Sequence, residues 1–248
     1  MKIKVKTLTF ATMLALAPAV AWGAGGTGLS GTAHDFSAKG GGVGVCTFCH
    51  TPHRAIATQL LWNHTLSSST FSWDVAKTTA GTNFPSFKGD TYTGPSARCL
   101  SCHDGTVAIG DIAWWNAGKP ALALDSSKLA WPDTHNVGAT GGTPGSMKGN
   151  HPVAMPYPFG GAANTYNGVT TGSGATLTEW QTTPVIPVRV FNDDGAGNIS
   201  AGAVAGKTGI ECSSCHDPHN KASVDDLFLR GKMAGNTTDY LCLKCHIK

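Results

Sequence analysis

Four copies of the motif C-x-x-C-H restrict what this chain can fold into more than any other feature. They occupy residues 46–50, 99–103, 212–216 and 242–246, which we number motifs 1 to 4. In such a motif two thiols one helical turn apart bind the vinyl groups of a haem, and the next His ligates its iron. The motifs use all eight cysteines, so none remains for a disulfide. The sequence therefore predicts four covalently bound haem c groups.

Each motif residue has a predicted role in haem binding. The predicted attachment residues are Cys46, Cys49, Cys99, Cys102, Cys212, Cys215, Cys242 and Cys245. The predicted proximal iron ligands are His50, His103, His216 and His246.

Zinc ribbons and thioredoxin-like dithiols also contain paired cysteines. Neither class requires a His directly after each pair. With 10 His in 248 residues, a His after all four pairs by chance has a probability of roughly a few in a million. The motifs therefore favour haem attachment over both alternatives.

The N-terminus has the pattern of a secretory signal peptide. Three lysines within the first six residues precede an apolar run from Leu8 to Val20, and small residues follow at Ala21 and Gly23. We predict a signal peptide over residues 1–23 and a single tetrahaem domain over residues 24–248. The run is too short for a membrane span, so we predict an exported protein without a transmembrane segment.

The charge balance does not suggest a nucleic-acid partner. The formal net charge is +3, and removal of the signal peptide takes away three lysines and no acid. The mature polypeptide is then balanced, so a basic surface for nucleic acid is not expected.

The ratio of chain to cofactor limits the fold. About 225 residues for four haems leave about 56 residues per haem, too few to build layers of sheet and helix around each. With 32 glycines as well, we predict a mostly irregular, haem-cored fold with short α-helices at the motifs and almost no β-sheet. The remaining local predictions are an edge strand at best within 183–191 and helices from about 96, over 224–233 and over 238–246.

Six histidines outside the motifs compete for the distal side of four irons. Both His53 and His219 follow a proximal His by three residues through a proline. Three residues span at most about 10 Å, too short to reach the other face of the same haem, so each would serve a neighbouring haem. The predicted distal ligands are His34, His53, His151 and His219, and the lower-ranked candidates are His64 and His135. Met147 and Met155 are expected to pack rather than ligate.

The number of histidines favours an electron carrier over an enzyme. An iron that only passes electrons is closed on both faces, whereas one that binds a substrate keeps a face open. No motif lacks its His, and six further histidines are available. We therefore expect four low-spin bis-His haems and no catalytic residues. A multihaem reductase is the less favoured alternative.

Several segments resemble the doubled C-x-x-C-H cytochromes of metal-reducing bacteria, and among them the outer-surface, OmcE-like tetrahaem cytochromes. The similarity covers essentially the whole mature chain. The segments that carry it are CTFCHTPH (46–53), LWNH (61–64), CLSCHDGT (99–106), HPV (151–153), CSSCHDPH (212–219) and CLKCHIK (242–248).

The resemblance implies an extracellular or outer-surface protein that polymerises head to tail into a filament, or nanowire, with a continuous row of haems. It implies redox partners at the outer membrane and metal oxides or electrodes as electron acceptors. It also suggests His53 as the residue that ligates a haem in the adjacent subunit. A soluble periplasmic tetrahaem shuttle is the alternative.

Overall fold

A computed structural model of the protein describes residues 28–37, 44–53, 55, 61–72, 94–104, 112, 137, 143, 145–161, 164–166, 169–171, 179–193, 198–225, 227–234 and 239–247. The predicted signal peptide lies outside these residues. In this described part, no helix has the length and apolar character needed to cross a membrane.

The helices are short and most of them carry a motif. Helix α1 spans Pro95–His103 and helix α2 spans Cys212–Cys215. Two 3-10 helices span Phe159–Gly161 and Leu241–Lys244. The predicted helix from about residue 96 is confirmed by α1. Pro95 stands at the start of this helix, where a backbone N–H would have no acceptor within the helix, so the N–H that proline lacks is not missed. The predicted helix over 238–246 is reduced to the 3-10 turn.

A four-stranded antiparallel sheet shows that the predicted fold class was wrong. The strands are β1 (Met155–Pro156), β2 (Asn164–Tyr166), β3 (Val169–Thr171), β4 (Phe191–Asp193), β5 (Ile199–Ala201) and β6 (Thr208–Ile210). The larger sheet has the order β1-β6-β4-β5, and β2 pairs with β3 in a separate hairpin. Gly209 of β6 lies opposite Pro156 on one side and Phe191 on the other. The protein is therefore not an almost sheet-free coil.

The sheet has an apolar core of its own. Met155, Tyr157, Phe191, Ile199 and Ile210 are buried together. Enclosed side chains such as these stabilise a fold by roughly 1.5–3 kcal/mol each. This part of the interior is built from protein side chains, which is the physical reason that the expectation of almost no β-sheet fails here.

Two local predictions also differ from the structure. In the segment 183–191 only Phe191 belongs to a strand, and β4 lies inside the sheet rather than at its edge. Among the described residues of 224–233 there is no helix. Leu227 and Phe228 instead adopt left-handed φ values of 57° and 60°, a conformation that a helix does not contain.

Helix α1 packs on a second apolar cluster. Leu100 is buried against Phe71 and Met147, with Val137 and Val153 at the margin. The segments that carry these side chains also pair through their backbones, since Ser72 N–H donates to the Gly145 carbonyl over 2.9 Å. The cluster therefore holds motif 2 against the segment that leads to His151. Like Met155 in the sheet core, Met147 packs among apolar side chains.

Candidate haem-binding sites

The motifs share one local conformation. In motifs 1, 3 and 4 the His N–H donates to the carbonyl of the first Cys, one turn back. The three hydrogen bonds are His50 to Cys46 (2.9 Å), His216 to Cys212 (3.0 Å) and His246 to Cys242 (2.8 Å). Motif 2 is helical throughout, since it ends α1. Residues three apart in a helical turn lie on the same face, so each turn can present both thiols to one haem.

Neighbouring segments fix the motif turns in place. Asn63 N–H donates to the Cys49 carbonyl over 2.9 Å, Arg230 N–H to the Cys215 carbonyl over 2.8 Å, and Gln181 N–H to the Cys245 carbonyl over 2.8 Å. In each case the second attachment Cys receives the bond. Because these carbonyls are fixed from outside the motif, the sulfur positions are set by the fold and not by the motif alone.

Motifs 2 and 3 form the middle of a row of four motifs. The Cys212 thiol is hydrogen-bonded to Cys99 of motif 2, and Cys215 lies close enough to Cys242 and Cys245 of motif 4 for their charges to interact. Motif 1 meets motif 2 in the same way, since Cys102 interacts with Cys49. The thiols mark the positions of the sulfurs that haem attachment would convert to thioethers. The four predicted haem positions are therefore contiguous.

The pKa values of the thiols are shifted by burial and by neighbouring thiols. Burial, the largest cause, raises the pKa of four thiols, to about 11 for Cys49 and Cys215 and to about 12 for Cys102 and Cys245. The hydrogen bond between Cys99 and Cys212 raises the pKa of Cys99 and lowers that of Cys212. Thiols with raised pKa values stay protonated and unreactive near neutral pH.

Three motif histidines face a histidine from a distant part of the chain. His50 and His219 have ring centroids 6.1 Å apart. The centroids of His103 and His34 are 6.0 Å apart, and those of His246 and His151 are 6.4 Å apart. Over the part of the chain that is described, no group of three or more His, Cys, Asp or Glu side chains is arranged to hold a metal ion. The imidazoles come in pairs.

This spacing fits an iron held between two imidazoles. A metal–imidazole bond is about 2 Å long and the ring centre lies about 1 Å behind the nitrogen, so two rings on opposite sides of one metal have centres about 6 Å apart. All three observed separations lie within half an ångström of that value. The residues present therefore fit bis-His haem iron at motifs 1, 2 and 4.

Backbone carbonyls orient several of the rings. The Nδ1 atom lies at hydrogen-bond distance from a carbonyl in four histidines: His34 with Pro218 (3.3 Å), His64 with Thr65 (3.1 Å), His151 with Pro152 (2.8 Å) and His216 with Leu227 (2.7 Å). A carbonyl can only accept a hydrogen bond, so Nδ1 carries the proton and the Nε2 lone pair is left for a metal. These rings are held in the tautomer that ligation requires.

The fourth proximal histidine has a different environment. His216 is exposed, and among the described residues no imidazole faces it. His53 is also exposed, whereas His64 is buried, with its ring centroid 6.3 Å from that of Phe48. The structure thus brings His34, His151 and His219 to motif histidines but does not bring His53 to His216. His135 lies outside the described residues.

Sequence reasoning missed the buried polar groups around motif 3. Asp217 accepts hydrogen bonds from the backbone N–H groups of Lys221 (2.9 Å) and Ala222 (2.6 Å) and pairs with Arg230 at 3.4 Å. Glu211 is buried directly before Cys212. The only signal for them in the sequence was an acid next to the motif. An acidic residue next to a motif is more often exposed to solvent than buried, so this signal was weak.

These features define a class of protein. Thiol pairs followed by His, with imidazoles paired at axial spacing, point to a c-type cytochrome that binds haem covalently and transfers electrons. The family model described as the doubled CXXCH motif matches residues 203–248, which contain motifs 3 and 4. A comparison with curated proteins finds no match.

Proposed function

We propose that this protein is a tetrahaem electron carrier that works outside the cell as the subunit of a filament. The observation that carries the proposal is the set of three imidazole pairs at axial spacing on contiguous motifs. It supports irons with no open face, whose role is to pass electrons onward. Reductase chemistry, which needs an iron accessible to substrate, is not proposed.

The pairs suggest how the distal ligands are distributed. His219 would close the iron at motif 1, His34 the iron at motif 2, and His151 the iron at motif 4. When bound, haem supplies the one-electron Fe³⁺/Fe²⁺ couple. The protein's part is to orient the imidazoles through backbone carbonyls and to keep the motifs adjacent.

We propose that the iron at motif 3 receives its distal ligand from His53 of a second copy. His216 and His53 are both exposed, and the other distal candidates of high rank are already opposite other motifs. Beside His216, Leu227 is 64% exposed, an apolar side chain that a neighbouring subunit could cover. The resemblance to filament-forming cytochromes points the same way. His64 is only 1% exposed, so it could serve an iron only within its own chain.

Filaments of this kind would form at the outer surface or outside the cell. Electrons would enter from redox partners at the outer membrane and leave to metal oxides or electrodes. The polymer would be head-to-tail, because each subunit donates its His53 at one contact and receives a neighbour's His53 at motif 3 at the other.

The test combines imaging with spectroscopy on native secreted protein. For H53Q we expect separate tetrahaem subunits with one haem changed from low-spin to high-spin, because the glutamine amide does not replace imidazole as an iron ligand. H64Q and H135Q serve as comparison variants, since each removes another candidate for the same iron. We expect both to assemble.

Filaments of normal length from H53Q, with four unchanged low-spin haems, would refute the intersubunit ligand. A change at the motif 3 haem in H64Q or H135Q alone would move that ligand into the same chain. If the unmodified protein itself gives only globular particles, the soluble periplasmic shuttle becomes the better description.

A further inference from the structure

A buried carboxylate joins the two central motifs. Glu211 precedes the first residue of α2 and is 1% exposed. Few glutamates are so fully enclosed in proteins, because removing a charge from water is costly unless hydrogen bonds replace the lost solvation. Its surroundings therefore call for a specific explanation.

The carboxylate caps α1 from a distant part of the sequence. The residue at the N-cap of α1, Gly94, provides no side-chain acceptor. Glu211 Oε2 instead accepts a hydrogen bond from the Ser96 backbone N–H at 3.2 Å and another from the Ser96 hydroxyl. One of the free N–H groups at the start of the helix is thus satisfied, and the negative charge lies at the positive end of the helix dipole.

The same two residues hold α2. The Cys212 N–H donates to Ser96 Oγ over 2.9 Å, and the Glu211 N–H donates to Ser214 Oγ over 2.9 Å. The Glu211 side chain in turn accepts from the backbone of Ser214. Glu211 and Ser96 therefore tie the start of the motif 2 helix to the start of the motif 3 helix. We call these two residues the Ser96–Glu211 clamp.

The clamp lies beside one attachment cysteine of each motif. The Cys99 and Cys212 thiols are hydrogen-bonded to each other, and the charge of Glu211 acts on both. Motif 3 also has the buried Asp217–Arg230 pair, whose opposite charges lie 3.4 Å apart. On α1 the buried Arg98 donates Nη1 to the Gly94 carbonyl over 2.8 Å.

We propose that Glu211 is a positioning residue that sets the contact between motifs 2 and 3 and that its buried negative charge lowers the reduction potentials of the two haems attached there. The proposal rests on haem attachment at these motifs. A fixed anion stabilises the ferric form over the ferrous form, and the effect is larger where water is excluded. A central pair of lower potential would influence how electrons distribute along the row of haems.

The experiment is a potentiometric titration of the complete holoprotein. E211Q keeps an oxygen that can accept the Ser96 hydrogen bonds but removes the charge. We expect it to bind four haems, to keep the low-spin spectrum, and to shift two of the four reduction steps to more positive potential. E179Q removes an exposed carboxylate and is the matched control, for which we expect no shift.

Two further variants separate charge from position. E211D retains the charge and is expected to keep the two potentials close to those of the unmodified protein, which also provides a test if E211Q does not mature. S96A retains the charge but loses the hydroxyl, so its unfolding midpoint in denaturant should fall without a positive shift in potential.

An E211Q titration that superimposes on that of the unmodified protein would overturn the electrostatic part of the proposal, as would an E211D shift as large as that of E211Q. An unchanged midpoint for S96A would overturn the positioning part. If the unmodified protein carried no covalent haem at motifs 2 and 3, the proposed function itself would fail, and haem staining of the unmodified protein shows this before any titration.

Discussion

Replacing His219 with alanine is expected to convert one haem of the chain from low-spin to high-spin iron. The ring of His219 lies 6.1 Å from that of His50, which belongs to a different motif. Without it, the iron at motif 1 would keep one imidazole and an open face. Electron paramagnetic resonance of the oxidised protein measures the change. Added imidazole is expected to restore the low-spin signal.

A variant that lacks the haem at motif 1 provides the control. In a C46S/C49S background the attachment thiols of that haem are gone, so adding H219A should produce no new high-spin signal. The effect should also be the same in separate subunits and in filaments, because both ligands belong to one chain. Four unchanged low-spin haems in H219A would contradict the pairing of His219 with His50.

Replacing Asp217 with asparagine is expected to destabilise the folded protein by about 3 kcal/mol, as is typical when one partner of a buried ion pair is removed. The side chains of Arg230 and Asp217 are only 2% and 7% exposed. Arg230 Nε donates to the Ser213 carbonyl over 3.2 Å, and Nη1 has no hydrogen-bond partner among the described residues. Asp217 provides the opposite charge beside the guanidinium. Unfolding in denaturant, followed by circular dichroism, gives the free energy.

The charge on Asp217 is well stabilised in the folded state. Burial alone would raise the pKa of Asp217, but hydrogen bonds from the Ala222, Lys221 and His219 N–H groups, together with the Arg230 charge, lower it overall. D239N removes an exposed carboxylate and is expected to change stability by less than about 0.5 kcal/mol. Equal midpoints for D217N and D239N would refute the structural role of the pair. D217N/R230M, which removes both charges, should recover part of the loss.

Local features of the fold could be predicted from the sequence. Helix α1 follows from Pro95 at its first turn and from the motif that it contains, and both signals lie within nine residues. The motif turns follow from the C-x-x-C-H pattern itself. Such features depend on neighbouring residues, so a single sequence contains the information needed.

The sheet could not be predicted in the same way. Its strands are two or three residues long, and β1 pairs with β6 across more than 50 residues. Alternation of apolar and polar residues needs about four residues to be visible. Strands such as Thr208–Ile210 owe their conformation to hydrogen bonds with distant partners and to burial. Tertiary contacts, and not local sequence preference, determine where these strands form.

The helix predicted over 224–233 was wrong for a related reason. Ser223 and the apolar residues after it fit a helical pattern, but the backbone turns back toward motif 3. The Phe228 carbonyl accepts from Asp217 N–H over 2.7 Å and the Leu227 carbonyl lies 2.7 Å from His216 Nδ1. Contacts with the motif histidine and its neighbour take precedence over the helical preference of the segment.

The types of haem-binding residue could be predicted from the sequence, but which distal histidine faces which motif histidine could not. The motifs identify attachment cysteines and proximal histidines by spacing alone. His219 is only three residues from His216, so it cannot reach the other face of the haem of its own motif. Which motif His219 reaches depends on how the chain packs, and the structure places it opposite His50. The same holds for His34, whose partner His103 is 69 residues away in sequence.

The intact mass of the purified native protein tests most directly whether all four motifs carry haem. The protein is denatured, treated with a thiol-alkylating reagent and weighed. We predict the mass of the mature polypeptide plus four haems, with no alkylation, because all eight cysteines would then be thioethers. A mass with fewer haems, or with two alkylated thiols for each missing haem, would contradict the account.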